Sequence, residues 1–342
     1  MNGHCCGKDV KNKGQYTTGT LLVGQSQVEE FLTMAEALEA VENAFRLKAL
    51  GKAIMPPKLY LNLPEYRGDF RAMPAYIDGN AGVKWVSVYP DNSKYNLPSI
   101  IAIVILNDPK TSFPLAIMDG VSITKIRTGA AGGTAVKYLA RRDSSTIGMI
   151  GAGVQARAQL QAINIVLPNI EEVKVFDLFK DASAKYAAEM GAKLNLNIRS
   201  VETVEVAASA DIVVTTTPSR KPIVKKEYIK PGTHINAIGA DAKGKQELEI
   251  DLLLKAKVVT DEMEQASHSG EINVAISEGR IKVEDIYGTL GEIIANTKKG
   301  RENNEEITIF DSTGLAIQDI ICAKLVYEKA QREKISTFDF LE

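Results

Sequence analysis

Only three histidines, three cysteines and one tryptophan occur in 342 residues. Cys5 and Cys6 are adjacent and Cys322 stands alone, so no disulfide framework and no zinc-ligand spacing can be written. The histidines are scattered. His4 lies in a polar N-terminal stretch, His234 reads as a satisfied core residue of a strand, and His268 falls in a polar segment. A histidine-centred acid–base mechanism is disfavoured, and no His/Cys/carboxylate cluster supports a metal. Charge of one sign is missing too. Lysine and arginine number 41 against 43 acidic residues, which argues against nucleic acid as an obligatory partner. No apolar run is long enough to span a membrane, and the first twenty residues carry Lys8, Lys11 and Lys13 without the apolar stretch of a signal peptide. A cytoplasmic location is expected. There is no internal repeat and no low-complexity tract.

What is present is an ordinary globular composition, 45% hydrophobic and 25% charged, in a chain long enough for two domains. The most informative segment is Thr146-Ile-Gly-Met-Ile-Gly-Ala-Gly-Val-Gln-Ala-Arg-Ala. It reads as a buried strand turning on glycines into a helix, the arrangement that sets a pyrophosphate on backbone N–H groups at a helix N-terminus. Gly151 permits the turn, Gly153 allows close approach of the phosphate, and Ala156 is the third small residue, packing helix on strand. A second strand, Val173–Phe176, ends in Asp177, 26 residues after Gly151. An acid there can accept from ribose hydroxyls and repel a 2′-phosphate. NAD is therefore the expected cofactor, while Lys180 nearby leaves NADP open.

Around this fingerprint the pattern divides the chain. Residues 26 to 50 carry two capping-box signals, Ser26-x-x-Glu29 and Thr33-x-x-Glu36, and apolar positions Leu38, Val41 and Phe45 at helical spacing. From Pro57 to Asp119, short apolar runs at 58–63, 70–77, 82–89, 99–106 and 114–118 predict an antiparallel sheet. A helix follows over Ser122–Leu139. From Ser145 strands alternate with helices, the pattern of a Rossmann-type, doubly wound parallel sheet, with later strands at 211–216, 234–238, 258–260 and 307–310. A last helix, from about Ile317 to Arg332, can return to the first half. The expected organisation is α/β: an extension over 1–20, an α+β substrate-binding domain over 21–125 joined by residues 317–342, and a nucleotide-binding domain over 126–316.

Three cations are hard to explain as structure. Lys84 lies in Gly82-Val-Lys-Trp-Val-Ser-Val, where both phases of the strand are apolar, and Arg71 lies in Phe70-Arg-Ala-Met-Pro-Ala-Tyr. Arg127 reads as lying near a helix start among small residues, a poor dipole position for a cation. A buried ammonium without a partner is costly. Together the three suggest an anion site for a carboxylate, although each can instead pair with a structural acid or snorkel to the surface. Asp241, in the loop after the strand ending at Ile238, falls at the carboxyl edge of the sheet, where a general base belongs. On spacing alone, an Asx-turn or helix cap is the better reading of it.

Several segments together resemble the ornithine cyclodeaminase/mu-crystallin family. They are Arg71-Ala-Met-Pro-Ala-Tyr, Val83-Lys-Trp-Val with Pro90-Asp-Asn, Ile126-Arg-Thr-Gly-Ala-Ala, Ile150-Gly-Ala-Gly-Val-Gln-Ala, Ile235-Asn-Ala-Ile-Gly-Ala-Asp with Gly244-Lys-Gln-Glu-Leu, and Phe310-Asp-Ser-Thr-Gly-Leu-Ala-Ile-Gln-Asp. The resemblance spans roughly residues 25 to 330. It implies a homodimer whose first domain binds substrate and builds the interface. It also implies that Lys84 and Arg127 hold a substrate carboxylate and that Asp241 is the catalytic acid/base; in the expected mechanism Lys84 moves protons with it. Gly151, Gly153, Val154, Gln155 and Asp177 would bind the dinucleotide, Ser99 would bring a hydroxyl near it, and Thr313 falls in a motif that closes over the nicotinamide.

Members of that family differ in reaction, and Arg71 bears on which. Ornithine cyclodeaminases tend to carry an acid there, whereas Phe70-Arg-Ala-Met-Pro resembles the archaeal-type alanine dehydrogenases and the ketimine reductases. A cation at this position suits a small substrate charged only at its carboxylate and repels an ornithine side chain. Two departures bear on substrate: Lys243 replaces a common proline after Asp241, and Lys58 stands where ornithine-active relatives often have arginine. The expectation is reversible, NAD-dependent deamination of a small L-amino acid, alanine first. Ornithine cyclodeamination, cyclic ketimine reduction and non-catalytic nucleotide binding are the alternatives.

Overall fold

The computed structural model describes residues 19–341, so Cys5, Cys6, His4 and nearly all of the N-terminal extension lie outside the described residues. The helical pattern over 26–50 resolves into two helices, Gln25–Phe31 and Met34–Ala49. Thr33 caps the second as the sequence implies: Glu36 N donates to Thr33 Oγ1 at 3.3 Å and Thr33 N donates back to Glu36 Oε2 at 3.1 Å. The Ser26–Glu29 box does not form. That helix starts two residues earlier with Gly24 as its cap, Gly24 N donating to Gln27 Oε1, and Glu29 is drawn away to Lys125 and Ser122.

The five apolar runs form the strands Leu59–Leu63, Gly68–Ile77, Asn80–Val88, Ile100–Asn107 and Pro114–Asp119, paired antiparallel. Three short strands, Thr20–Val23, Ala53–Ile54 and Thr337–Phe338, complete an eight-stranded sheet. They are too short to show alternation in the sequence. Thr20–Val23 runs parallel to Pro114–Asp119, so the sheet is mixed. Register sorts its faces. Arg71 pairs with Val86 and Met73 with Lys84 and then Val104, placing both cations on the covered face beside buried Met73, Ala75 and Val104. The opposite face carries the cross-strand row Leu59, Ala72, Trp85, Ile103, whose large side chains are exposed. This is why both phases of the Lys84 strand read as apolar: one faces the core and the other an uncovered sheet surface.

The helix Gly120–Leu139 is capped by Asp119, whose carboxylate accepts from Val121 N and Ser122 N. It is buried along most of its length and packs against both halves: on the first against the helix Met34–Ala49 and the strand Ile100–Asn107, and on the second through Gln159, which donates to Thr128 O, and Asn236, which donates to Gly132 O. Arg127 lies two turns into this helix, not at its start. The dipole argument therefore lapses, because the field of a helix end fades within one turn; burial is what makes this cation unusual.

The second sheet has eight parallel strands in the order Ile198–Ser200, Glu172–Phe176, Thr146–Ile150, Ile212–Thr215, His234–Ala237, Thr308–Asp311, Lys257–Thr260 and Gly288–Thr289. The order reverses direction at Thr146–Ile150, the switch point beside which open α/β sheets bind ligands. His234 is satisfied inside it, Nδ1 lying 2.9 Å from Thr308 Oγ1 and Nε2 3.0 Å from Asn236 Oδ1. The last helix, Ala316–Ala330, returns to lie across the covered face of the first sheet, with Cys322 buried in it.

Candidate active site

Two adjoining cavities line the carboxyl ends of the parallel strands. One, of 410 Å³, is walled by Gly151, Gly153, Asp177, Leu178, Phe179, Val204 and Ile223. The other, of 280 Å³, is walled by Ile100, Arg127, Gln155, Gly239, Asp241, Lys245, Thr313 and Gly314. Thr216, Thr217 and Pro218 belong to both, making one trough.

The glycine fingerprint sits at the centre of that trough. Gly151 has φ +97°, and a Cβ there would lie 2.8 Å from Thr216 Oγ1. Gly153 caps the helix Val154–Val166 with open space where its Cβ would be, and Ala156 is fully buried. Asp177 accepts from Ala152 N at 2.8 Å and Phe179 N at 2.9 Å, which fixes its carboxylate beside the larger cavity. Lys180 turns away into an exposed pair with Glu202. Gln155 Oε1 is buried without a hydrogen-bond partner while its side chain lines the smaller cavity. An open helix N-terminus, an acid at the far end and an orphaned amide oxygen together fit a dinucleotide. Val154 is largely exposed and lines neither cavity; Ser99 is exposed also, and its neighbour Ile100 reaches the wall instead.

The three cations do converge, each with an acid. Lys84 Nζ lies 2.8 Å from Asp319 Oδ2, and Arg127 Nε donates to Asp319 Oδ1 at 3.0 Å. Asp319 comes from the returning helix and is fully buried. Burial, reinforced by the neighbouring Arg127 charge, pushes the Lys84 ammonium down to about 7 against the pull of Asp319. Gly314 has φ +79°, and a Cβ there would meet Arg127 Nη1 at 2.5 Å, so glycine is what lets the guanidinium lie against this loop. Arg71 donates to Asp69 Oδ1 at 2.6 Å and to Asp241 Oδ2 at 2.9 Å, with the Tyr60 ring beneath it. The structural alternative of pairing with acids is thus realised: Asp319 joins Lys84 to Arg127, which lines the smaller cavity, and Arg71 reaches that cavity's wall through Asp241.

Asp241 receives Lys245 as well as Arg71, Nζ lying 2.5 Å from Oδ1. Burial opposes its ionisation, yet Lys245, Arg71 and Lys58 outweigh that and hold the carboxyl well below the usual range. Asp241 is therefore neither a helix cap nor an Asx-turn. Lys58 Nζ donates to Thr313 O at 2.6 Å, and burial pushes its ammonium down to about 8. Thr313 N and Gly314 N in turn donate to Asp261 Oδ2 at 2.7 and 2.6 Å, and Thr313 Oγ1 to Asp261 Oδ1 at 2.8 Å.

Sequence reasoning missed Asp69, Asp261 and Asp319. Asp319 had a signal, since it ends the segment Phe310–Asp319 and sits at helical phase with apolar residues. Asp261 had only its place after a strand, and Asp69 lies inside the strand Gly68–Ile77, one position before the apolar run at 70–77.

The sequence profile of the ornithine cyclodeaminase/mu-crystallin family matches residues 19–334. The alanine dehydrogenase of Archaeoglobus fulgidus is 54% identical over 321 residues, covering 93% of this chain and 97% of that protein. A solved archaeal alanine dehydrogenase dimer with bound NAD superposes with a TM-score of 0.92 at 53% identity, covering 94% of this chain and all of that one, 100%. The Thermococcus litoralis Δ1-pyrroline-2-carboxylate reductase, solved with NADH and L-proline, gives 0.90 at 44% identity, covering 93% and 99%. The fingerprint, the cation cluster and these similarities agree: the chain belongs to the ornithine cyclodeaminase/mu-crystallin family.

Proposed function

We propose that this enzyme, an NAD-dependent oxidoreductase of amino or imino acids, interconverts L-alanine and pyruvate: L-alanine, NAD+ and water give pyruvate, ammonium, NADH and a proton. The observation that carries this reading is the charge balance of the cleft. Lys58, Arg71, Lys84, Arg127 and Lys245 face four carboxylates, Asp69, Asp241, Asp261 and Asp319. With Lys84 protonated, below about 7, one positive charge remains, which suits a single substrate carboxylate and leaves none of the four acids unpaired for a side-chain ammonium.

Arg71, Lys84 and Arg127 bind the carboxylate and orient Cα–H; Gly151, Gly153, Gln155 and Asp177 hold the dinucleotide. Bound NAD supplies the hydride acceptor. Asp241 takes one proton from the substrate ammonium and passes it to solvent before hydride leaves Cα; it then takes a proton from the water that adds to the iminium carbon and returns it to the nitrogen, so that ammonia departs as the hydroxyl proton is lost and the C=O forms, with Lys84 as a second group able to exchange protons near neutrality. As the substrate carboxylate engages Arg71, Asp241 loses part of the charge that holds it ionised, and its basicity rises.

The uncovered apolar face of the first sheet, with Leu59, Trp85 and Ile103, supports a homodimer like the archaeal relative's. A second reading, reduction of a cyclic imine such as Δ1-pyrroline-2-carboxylate, is supported by the same charge balance, since that substrate is also a lone carboxylate. Incubation with L-alanine and NAD+ separates the two: pyruvate and ammonia in equal yield with NADH support the first, and no NADH counts against it.

A further inference from the structure

The segment Gly244-Lys-Gln-Glu-Leu contains an acid that the reaction does not use. Glu247 is fully buried, with no cation among its partners. Its Oε1 accepts from Thr217 N at 2.6 Å and Thr217 Oγ1 at 2.7 Å; its Oε2 accepts from Thr215 Oγ1 at 2.7 Å and Gly239 N at 2.9 Å. Its main chain is tied as firmly: Ile223 N and Val224 N donate to Glu247 O at 2.7 and 3.0 Å, and Glu271 accepts from Glu247 N and Leu248 N.

Three of these partners wall the trough. Thr217 lines both cavities, Ile223 the larger, and Gly239 opens the loop that carries Asp241. We propose that Glu247 is a positioning residue that fixes the Thr217 rim to the Gly239–Asp241 loop, so that nucleotide binding and the placement of Asp241 depend on one buried carboxylate. Each carboxyl oxygen meets one obligate donor, Thr217 N on Oε1 and Gly239 N on Oε2, so both oxygens must accept, while the two hydroxyls can turn either way. Burial raises the proton affinity of both Glu247 and Glu271, and that of Glu271 further because the Glu247 charge lies beside it. An amide at 247 would turn an N–H toward Gly239 N or Thr217 N, a clash of two donors that the backbone cannot relieve by rotation.

The inference rests on the nucleotide-dependent reading of the site, but its first readout, NADH binding by fluorescence, needs no substrate. If the wild-type protein fails to bind NADH, that reading itself falls. If the wild type binds, E247Q is expected to raise the NADH Kd by about tenfold or more and to move the acid limb of the pH–kcat profile upward, as Asp241 drifts from Arg71 and Lys245. T215V, which removes one donor on a residue lining neither cavity, is expected to shift both in the same direction by a smaller factor. Should E247Q not fold, T215V decides. A folded variant with wild-type Kd and an unmoved pH profile overturns the proposal.

Discussion

Arg71 Nη1 lies 2.9 Å from Asp241 Oδ2, although 170 residues separate them in sequence. The contact joins a strand of the first sheet to the loop at the carboxyl edge of the second, and it places the proposed general base against a cation proposed to hold the substrate carboxylate. In that proposal, binding and proton transfer are linked through one guanidinium.

The first consequence concerns Asp241. Asp241→Asn keeps the side-chain volume but removes the base. A fall in kcat of about a hundredfold or more is expected, with the NADH Kd within about twofold of wild type. Near wild-type turnover would remove Asp241 from the mechanism.

Arg71 is the residue proposed to select substrate charge. Arg71→Glu should raise the Michaelis constant for L-alanine by about tenfold to a hundredfold, and that for a diamino acid such as L-ornithine much less. Equal increases for both would show that the charge at position 71 does not select the substrate.

Lys84 sets a pH dependence. Its proton is lost at about 7, because burial and Arg127 outweigh Asp319. Below that pH the ammonium attracts an anion, and above it the attraction is lost. The affinity of the NADH complex for a simple carboxylate inhibitor should therefore fall as pH rises through about 7 in wild type. In Asp319→Asn, with the stabilising carboxylate gone, the transition should move to lower pH. An affinity flat across that range, or a shift to higher pH, contradicts the assignment.

Stability has its own titration. Burial pushes His234 from 6.5 down to about 3. Between those values the unfolded chain binds a proton that the folded protein refuses, so stability falls as pH drops through this window, by ~1.4 kcal/mol per unit from this group. Thermal melts of wild type and His234→Gln from pH 7 to about 4 should show a shallower decline in the variant. Identical slopes would exclude the imidazole as the source.

The glycine turn and Asp177 were legible in the sequence because their geometry is local: strand, turn, helix and acid lie in one βαβ unit. The five strands between residues 59 and 119 were legible for the same reason. What the sequence could not show was which acid meets which cation. Asp319 reaches Lys84 across 235 positions, through a helix that returns from the other end of the chain. Arg127 was singled out on a faulty argument, since Asp119 starts its helix two turns earlier; it earned its place by burial instead. Glu247 was quoted only as part of a motif, because its four donors come from two different strands and their loops.

The most direct test is one assay with identified products, in which L-alanine, L-proline and L-ornithine are each supplied with NAD+, and pyruvate plus ammonia and Δ1-pyrroline-2-carboxylate each with NADH. The account predicts the highest kcat/KM for the alanine–pyruvate pair, with one NADH formed per pyruvate. Proline and ammonia formed from ornithine without net NADH, or cyclic imine reduction with no turnover of alanine, would contradict it.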